Sequence, residues 1–319
     1  MQEGWHYELD NVDAPLTYNG VVYNEMKGAL SSPEAIMEDK AMEELFPDTT
    51  YGVESGGDPE VIPTLSFREF SEFHRRFYHP SNSYIYLYGD MDIDETLKFI
   101  DQEYLSHFDA RNVYSAVKTQ SPLPKRKIVE APFGISENES LEKKTIHALY
   151  IALNDHITTE ESLAFKILSY VLVDMDGAPL KKAVLDAGIG NDVSSAYGDS
   201  YKQPVWTIEV TGSEIDKREK FISTVDLVLR NLALDGIDRN MLEAALNRTE
   251  FILRENDFQG KPKGLLYGVR AMDLWLYDRD PMQALKYIDD IKELRNNLDK
   301  GYFENLLLKY VIKNTHQVL

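Results

Sequence analysis

Cysteine is absent from the 319 residues of this sequence. The chain can therefore form no disulfide bond and can use no thiolate nucleophile. Any metal site within it must be built from histidine, aspartate or glutamate side chains. The sequence also lacks an apolar run of about 18 residues, the length that a membrane-spanning helix needs, so no membrane partner is expected.

Positive charge is scarce. Lysine and arginine number 34 against 54 acidic residues, which gives a formal net charge of -20. A surface this acidic repels nucleic-acid phosphates, so we expect no nucleic-acid partner. It either attracts basic peptides or only aids solubility, and both interpretations stay open. With 43% hydrophobic and 28% charged residues, the composition is typical of a globular protein, and the length favours two domains.

Several common catalytic motifs are also missing. The sequence contains neither H-E-x-x-H nor H-x-x-E-H, and it has no G-x-S-x-G serine elbow. Residues 55–59 (SGGDP) form a glycine-rich loop, but they lack the Lys-Ser/Thr pair of a phosphate-binding loop. His74 and His79 are five positions apart, and Pro80 follows at once. We therefore predict structural or surface roles for these two histidines.

The order of the predicted elements favours two domains. A series with apolar helices and a predicted buried strand at 84–88 occupies residues 1–115, and a proline-containing linker is predicted at 116–140. A second β/α series follows at 141–319, in which Ser213 is predicted to cap a long helix. The predicted fold class is α+β. Each of the two related domains is expected to contain a mixed, mostly antiparallel sheet with helices on one face.

Glu25 is the acidic residue with the most informative setting. It lies one turn into a predicted helix that follows the β-prone stretch 16–24. A carboxylate is a good zinc ligand, but a catalytic zinc site needs three protein ligands. From its spacing alone, Glu25 is therefore better explained as a solvated helix acid.

Longer strings in residues 1–110 carry a family likeness. The matching strings are Gln2 to Trp5 (QEGW), Gly20 to Gly28 (GVVYNEMKG), Ser55 to Pro59 (SGGDP), Ile62-Pro63-x-Leu65, Phe73-His74, Tyr78 to Asn82 (YHPSN) and Gly89-Asp90. In order and spacing they resemble the presequence-protease and falcilysin branch of the pitrilysin/insulinase superfamily of zinc peptidases. Residues 145–319 resemble the second domain of that superfamily in their order of elements.

The resemblance implies a fold, a cofactor and an activity. Such enzymes consist of four homologous α/β domains in two halves that enclose a chamber, and they degrade unfolded oligopeptides with a zinc-activated water. In these enzymes two histidines of an H-x-x-E-H helix bind the zinc, and the glutamate between them acts as general base on the zinc-bound water. The third zinc ligand is a glutamate in the string N-E-M-K-G. By that match Glu25 is a zinc ligand, and Gly56 and Gly57 lie near the cleft where they contact peptide substrates.

The sequence differs from the family pattern because it lacks two sets of functional residues. The H-x-x-E-H motif is expected upstream of Met1, and the Arg and Tyr that hold the substrate carbonyl are expected downstream of Leu319. The resemblance therefore implies no catalytic residue in this chain, no zinc bound to it alone, and the remainder of the same polypeptide as its partner. A non-catalytic scaffold or peptide-binding subunit of the same fold is the alternative. A cytoplasmic location and a homodimer formed through unpaired strands are further expectations.

Overall fold

A computed structural model describes residues 4–155, 157–255 and 260–319. The chain divides into two units: unit 1 is Met1–Asp39 with Val53–Lys118, and unit 2 is Lys40–Gly52 with Thr119–Leu319. The domain bounds predicted from the sequence, 1–115, 116–140 and 141–319, stay a prediction, and the two units of the structure change at 118/119. The assignment of 40–52 to unit 2 has no counterpart in the prediction.

Unit 1 is mainly helical. Its elements are β1 (His6–Glu8), β2 (Thr17–Asn19), α1 (Val21–Ala29), the first part of α2 (Pro33–Leu45), α3 (Phe67–Phe77) and α4 (Ile93–Glu103), with short 3-10 turns at Ile62–Thr64, Pro80–Asn82 and Leu105–His107. Strands β1 and β2 form an antiparallel pair with Tyr7 opposite Tyr18. The unit boundary falls inside α2, which ends in unit 2.

The start of helix α3 is fixed by a capping box between Ser66 and Glu69. Ser66 Oγ accepts a hydrogen bond from the Glu69 amide at 3.2 Å, and the Glu69 carboxylate accepts one from the Ser66 amide at 2.9 Å. This reciprocal capping box satisfies two amides that have no partner within the helix. The helix ends at Phe77, three residues before Pro80.

The apolar face of α3 is exposed. Phe67, Phe70 and Phe73 are 82%, 65% and 60% exposed. Among the hydrophobic side chains described in unit 1, only Met26 is buried. The described residues of unit 1 therefore form no sizeable core of their own.

The predicted buried strand at 84–88 is wrong. The segment has no strand assignment and belongs to neither of the two sheets formed by the described residues. Its side chains are 36–56% exposed. Alternating aromatic residues give a segment β propensity, but a strand forms only where a neighbouring strand supplies ladder hydrogen bonds.

Unit 2 contains the larger sheet and most of the helices. Its elements are β3 (Thr145–Ala152), α5 (Thr159–Ser169), α6 (Pro179–Asp186), β4 (Asp192–Gly198), β5 (Val205–Ser213), α7 (Arg218–Asp235), α8 (Arg239–Glu255), α9 (Lys263–Trp275), α10 (Ile288–Asn296), α11 (Tyr302–Leu307) and β6 (Gln317–Val318). Short π-helical turns extend α5 at Tyr170–Asp174 and α11 at Leu308–Ile312, and 3-10 turns lie at Thr50–Gly52, Ile215–Lys217 and Pro281–Leu285.

The sheet of unit 2 has the strand order β4-β5-β3-β6, and all its named strand pairs are antiparallel. Leu149 and Ile151 of β3 and Ile208 of β5 lie in one cluster with the buried sides of α5 to α8, α10 and α11. Their burial, with Trp206 and Phe165 fully inaccessible, supplies the hydrophobic stabilisation of unit 2. The predicted α+β class, a mostly antiparallel sheet with helices, is confirmed.

The predicted linker at 116–140 has a defined structure over part of its length. Its residues 119–140 belong to unit 2. The Lys127 amide donates to the Gln317 carbonyl at 2.9 Å, and the Leu319 amide donates to the Lys127 carbonyl at 2.9 Å. The Val129 amide donates to Leu319 at 2.8 Å. This segment therefore runs beside β6, in a parallel bridge with Val318, rather than as a free connector.

The predicted helix cap at Ser213 is also wrong. Strand β5 continues to Ser213, which is paired with Thr145, and α7 begins only at Arg218. The Ser213 hydroxyl donates to the Ile189 carbonyl and is buried. The hydroxyl of a serine near a strand end can hydrogen-bond either to the backbone of a following helix or to a neighbouring loop, and here its partner is in the loop before β4.

In the described ranges, no helix combines the length and the apolar character that crossing a bilayer requires.

Candidate functional site

Glu25 lies in the second turn of α1, and its side chain is exposed. The start of this helix is fixed by Asn19, whose side-chain oxygen accepts from the Gly20 amide at 2.7 Å and from the Asn24 side chain at 2.6 Å. No hydrogen bond or ion pair engages the Glu25 carboxylate among the described residues. The carboxylate is therefore available to an external cation or ligand.

Glycine is required where α1 begins. Gly20 has φ +150°, and a β-carbon there would lie 2.5 Å from the Gly4 carbonyl oxygen and 2.5 Å from the Trp5 Cα. The Tyr23 amide donates to that same Gly4 carbonyl at 3.2 Å. The chain segment before β1 thus lies directly on the first turn of the helix that carries Glu25.

Aromatic side chains cluster beside this turn. Trp5 packs edge-on against Tyr7 and Tyr18 with centroids 5.3 and 5.4 Å apart, and Tyr18 lies 5.9 Å from Tyr23. A hydrogen bond with Tyr7, followed by its charge, raises the pKa of the Tyr18 phenol. This cluster was not predicted from the sequence. Its signal was the cross-strand pair Tyr7 and Tyr18, which share one face of a hairpin.

The glycine loop contacts the same helix. A β-carbon on Gly56 would lie 2.3 Å from the Met26 sulfur, and Met26 directly follows Glu25. Gly57 has φ +98°, a region that favours glycine. Of the residues predicted for the site, the structure therefore places Gly56 against the helix of Glu25. Whether the loop contacts a substrate stays a prediction.

The donor set does not by itself fit a zinc ion. No group of three or more His, Asp or Glu side chains that could hold a metal occurs in residues 4–155, 157–255 and 260–319. A catalytic zinc needs three protein ligands, so Glu25 can supply only one of them. The predicted zinc role of Glu25 stays a prediction.

Four of the histidines that the structure describes, His74, His79, His147 and His316, have partners other than a metal. His74 stacks on Tyr78 with centroids 4.5 Å apart, and His79 Nδ1 accepts from the Ser81 amide at 3.1 Å. His147 and His316 are buried, and each contacts a backbone carbonyl through Nε2. His156 lies outside the described residues. The contacts of His74 and His79 agree with the structural roles predicted for them.

Comparison with known proteins identifies the family. The profile described as "Peptidase M16 inactive domain" matches residues 64–249, more than half of the chain. "Protein HypA" of Clostridium perfringens is 45% identical over 319 residues, which cover 100% of this chain and 33% of that protein. "Presequence protease 1, chloroplastic/mitochondrial" of Arabidopsis thaliana is 36% identical over 100% of this chain and 30% of its own length. The chain thus spans about a third of the length of the curated relatives it matches.

Solved structures agree at the level of the fold. A crystal structure of a peptidase M16 inactive domain from Pseudomonas fluorescens aligns with a TM-score of 0.66 at 17% identity, over 93% of this chain and 66% of that one. A protease from Helicobacter pylori aligns with a TM-score of 0.68 at 15% identity, over 93% and 68% of the two chains. The resemblance to the pitrilysin/insulinase superfamily is confirmed, and the chain belongs to the peptidase M16 family.

Proposed function

We propose that this chain is part of a zinc-dependent metallopeptidase that degrades unfolded oligopeptides, with Glu25 as one zinc ligand. The observation that carries the proposal is the exposed Glu25 carboxylate within the string N-E-M-K-G, which is held on α1 without a competing partner in the described residues. An identity of 36% to a presequence protease along the whole chain supports the same activity.

The remaining zinc ligands are proposed to come from the same full-length polypeptide outside these 319 residues. One carboxylate cannot hold zinc as three ligands do, so the isolated chain is expected to bind zinc weakly and to be inactive. The exposed phenylalanines of α3 and the segment 84–88 support a partner of this kind, because apolar faces this large are normally covered. A homodimer through the same surfaces is the competing arrangement.

Peptides are the proposed substrates, with a preference for basic ones. The net charge of -20 attracts cationic peptides over distances of about a Debye length. Gly56 and Gly57 are proposed to contact the substrate, since their loop lies against the helix of Glu25 and offers backbone groups without side chains. A cytoplasmic location is proposed as well.

A non-catalytic scaffold or peptide-binding subunit is the second candidate. The matched profile describes an inactive domain, and the described residues hold no metal-binding cluster. A scaffold has no chemical need for the Glu25 carboxylate. Replacing that residue therefore separates the two candidates.

The test uses the complete polypeptide that contains this chain. Zinc content is measured by mass spectrometry and hydrolysis with an unfolded basic peptide, for the unchanged protein, for Glu25→Gln and for Glu38→Gln. Glu38 is an exposed acid on α2 and serves as the matched control. We expect Glu25→Gln to lose zinc and to lower kcat/KM by at least about 100-fold, since even ligand-supporting residues contribute 10–100-fold.

Three results contradict the proposal. Unchanged zinc content and activity in Glu25→Gln exclude Glu25 as a ligand. A zinc-free, inactive complete polypeptide that still binds unfolded peptides identifies a scaffold instead. Hydrolysis by the isolated 319-residue chain, lost in Glu25→Gln, shows that the other ligands do not lie outside it.

A further inference from the structure

Unit 2 contains a cavity of about 570 Å³. Its lining includes none of the residues that are proposed to bind zinc or to contact the substrate. Its walls are the first half of α5, the end of α8, the second half of α9, the 3-10 turn and loop at 281–287, and the turn at 199–204. Ligand-binding cavities in proteins typically measure about 300–1,000 Å³. The cavity is therefore large enough for a small organic molecule.

The lining differs in charge from the rest of the chain. It includes five basic residues, Lys166, Lys202, Arg248, Arg270 and Arg279, against four acidic ones, Asp155, Asp199, Asp273 and Asp290. The whole chain has 34 basic and 54 acidic residues. Both signs of charge thus meet in one cavity, without the acidic excess that dominates elsewhere.

Two of the five basic residues in the lining, Arg248 and Arg279, are the candidates for contact with an anionic group of a ligand. The Arg248 guanidinium lies over the Tyr170 ring, 4.2 Å from its centroid. No ion pair or hydrogen bond to the guanidinium of Arg248 or Arg279 occurs in the part of the chain that the structure describes. A guanidinium held over an aromatic ring keeps its planar fork of donors, which matches the two oxygens of a carboxylate.

The acidic part of the lining lies around Asp199 and Asp273. Asp199 accepts from the Ser162 hydroxyl at 2.8 Å and pairs with Lys166 at 2.6 Å. Asp273 is half-buried, and burial, followed by the charge of Asp199, raises the pKa of its carboxyl group. A ligand cation beside Asp273 relieves this repulsion between the two carboxylates.

The turn that carries Asp199 is held in place. The Tyr277 hydroxyl donates to the Ser200 carbonyl at 2.7 Å, and it also hydrogen-bonds to the Tyr51 hydroxyl. The Lys202 amide donates to Tyr51 at 3.0 Å. The acidic wall is therefore fixed before any ligand binds, which lowers the entropic cost of binding.

We infer that this cavity binds a short peptide with free termini, whose carboxylate contacts Arg248 and Arg279 and whose ammonium group lies beside Asp273. Four tyrosines in the lining, Tyr170, Tyr201, Tyr277 and Tyr287, provide contact area for an apolar side chain. A simple anion uses only the arginines and places no ligand cation beside Asp273, whose carboxyl group is close enough to Asp199 for that charge to raise its pKa. A zwitterion matches both. The inference does not rest on the zinc peptidase activity.

The test is isothermal titration calorimetry of the 319-residue chain with the dipeptide phenylalanyl-leucine. The probes for comparison are its N-acetylated form, its C-terminal amide and inorganic phosphate. We expect the free dipeptide to bind and each capped form to bind roughly tenfold more weakly, because each lacks one charge-assisted contact. All probes meet the same unchanged protein, so a folding defect cannot mimic the result.

Variants then assign the two ends of the ligand. Arg248→Gln is expected to bind the free dipeptide more weakly and to lose the preference for the free dipeptide over its C-terminal amide. Asp273→Asn is expected to remove the preference over the acetylated form. Arg230 is an exposed arginine of α7 that does not line this cavity. Arg230→Gln is therefore expected to leave the affinities for the free and capped dipeptides unchanged.

Three outcomes overturn the inference. Equal affinity for free and capped dipeptides excludes recognition of the termini. Phosphate or the acetylated dipeptide binding as tightly as the free form shows a plain anion site. No binding of any probe at millimolar concentration shows that the cavity takes no short peptide.

Discussion

The Nε2 atom of His316 lies 2.7 Å from the carbonyl oxygen of Leu45, the last residue of α2. Because a carbonyl only accepts, Nε2 of the imidazole carries the proton and donates it in this hydrogen bond. The His316 ring also packs edge-on against Phe46, 5.7 Å between centroids. A buried histidine thus satisfies a free carbonyl at a helix end, 271 positions away in the chain.

The burial of His316 makes the stability of unit 2 depend on pH. Burial lowers the pKa of His316, and its hydrogen bond to Leu45 opposes that effect only in part. The unfolded chain therefore binds a proton near pH 6.5 that the folded chain does not. The resulting stability is fully present above pH 6.5 and is lost as the pH falls towards the lowered pKa. One such group changes the free energy of unfolding by at most about 1.4 kcal/mol per pH unit.

Urea denaturation at several pH values between 7.5 and 5.0 measures this effect. His316→Gln is expected to be less stable than the unchanged chain at pH 7.5, and the difference is expected to shrink at pH 5. His107→Gln, an exposed histidine, should run parallel to the unchanged chain. A constant difference between His316→Gln and the unchanged chain shows that His316 is not a source of the pH dependence.

The hydroxyl of Ser195 on β4 is hydrogen-bonded to two buried residues, Trp206 and Ser169. It accepts from the Trp206 indole at 2.9 Å and contacts the Ser169 hydroxyl at 2.6 Å. Ser195→Ala leaves the indole N–H of a fully buried tryptophan without its acceptor, which is expected to cost about 1–3 kcal/mol. Urea denaturation followed by circular dichroism measures the loss.

Ser194 provides the matched control because it is the neighbouring residue of β4 and is exposed. Ser194→Ala is expected to change the free energy of unfolding by less than about 0.5 kcal/mol. If both alanine variants have the same small effect, the hydrogen bond to Trp206 contributes nothing to stability.

Arg126 holds the segment beside β6. Its guanidinium donates to both carboxylate oxygens of Asp226 at 2.9 and 2.7 Å and to the Gln317 side chain at 2.8 Å. Arg126→Ala removes three contacts at once, so the Lys127 and Val129 amides should exchange with deuterium about tenfold faster. Lys125→Ala, an exposed neighbour, should leave both rates unchanged. Equal rates in both variants show that the backbone pairing is stable without Arg126.

Much of the fold could be predicted because its signals are local. Thr158 caps α5 through a capping box with Glu161, as Ser66 caps α3, and a polar residue three positions before a glutamate shows this without a structure. The segment 84–88 and Ser213 could not be predicted correctly. Their state depends on which distant chain segments lie beside them, and periodicity carries no such information.

The candidate site residues differ in the same way in how far the sequence predicts them. Glu25 was identified from a continuous string of residues, and the structure places it on the predicted helix. The cavity of unit 2 draws its residues from positions 155 to 290, on α5, α8, α9, α10 and the turns and loops between them. No spacing in the sequence brings Arg248, Asp273 and Tyr170 together. Only the packing of α5, α8 and α9 does so.

Gly20 lies just before the first residue of α1, and Gly28 lies in its last turn. Replacement by alanine is expected to have opposite effects on stability at these two positions. Gly20→Ala places a β-carbon 2.5 Å from two backbone atoms at φ +150°, so it is expected to destabilise the start of α1 by more than about 1 kcal/mol. Gly28 has no neighbouring atom within 4 Å of such a β-carbon. Gly28→Ala is therefore expected to stabilise the helix by about 0.5–1 kcal/mol.

Deuterium exchange of the Tyr23 amide, which donates to Gly4, reports the difference. It should become faster in Gly20→Ala and stay equal or become slower in Gly28→Ala. Faster exchange in both variants indicates that α1 tolerates no added methyl group. Unchanged exchange in Gly20→Ala means that the contact between Gly4 and the first turn is not formed. In that case the aromatic cluster next to Glu25 is not positioned by this glycine.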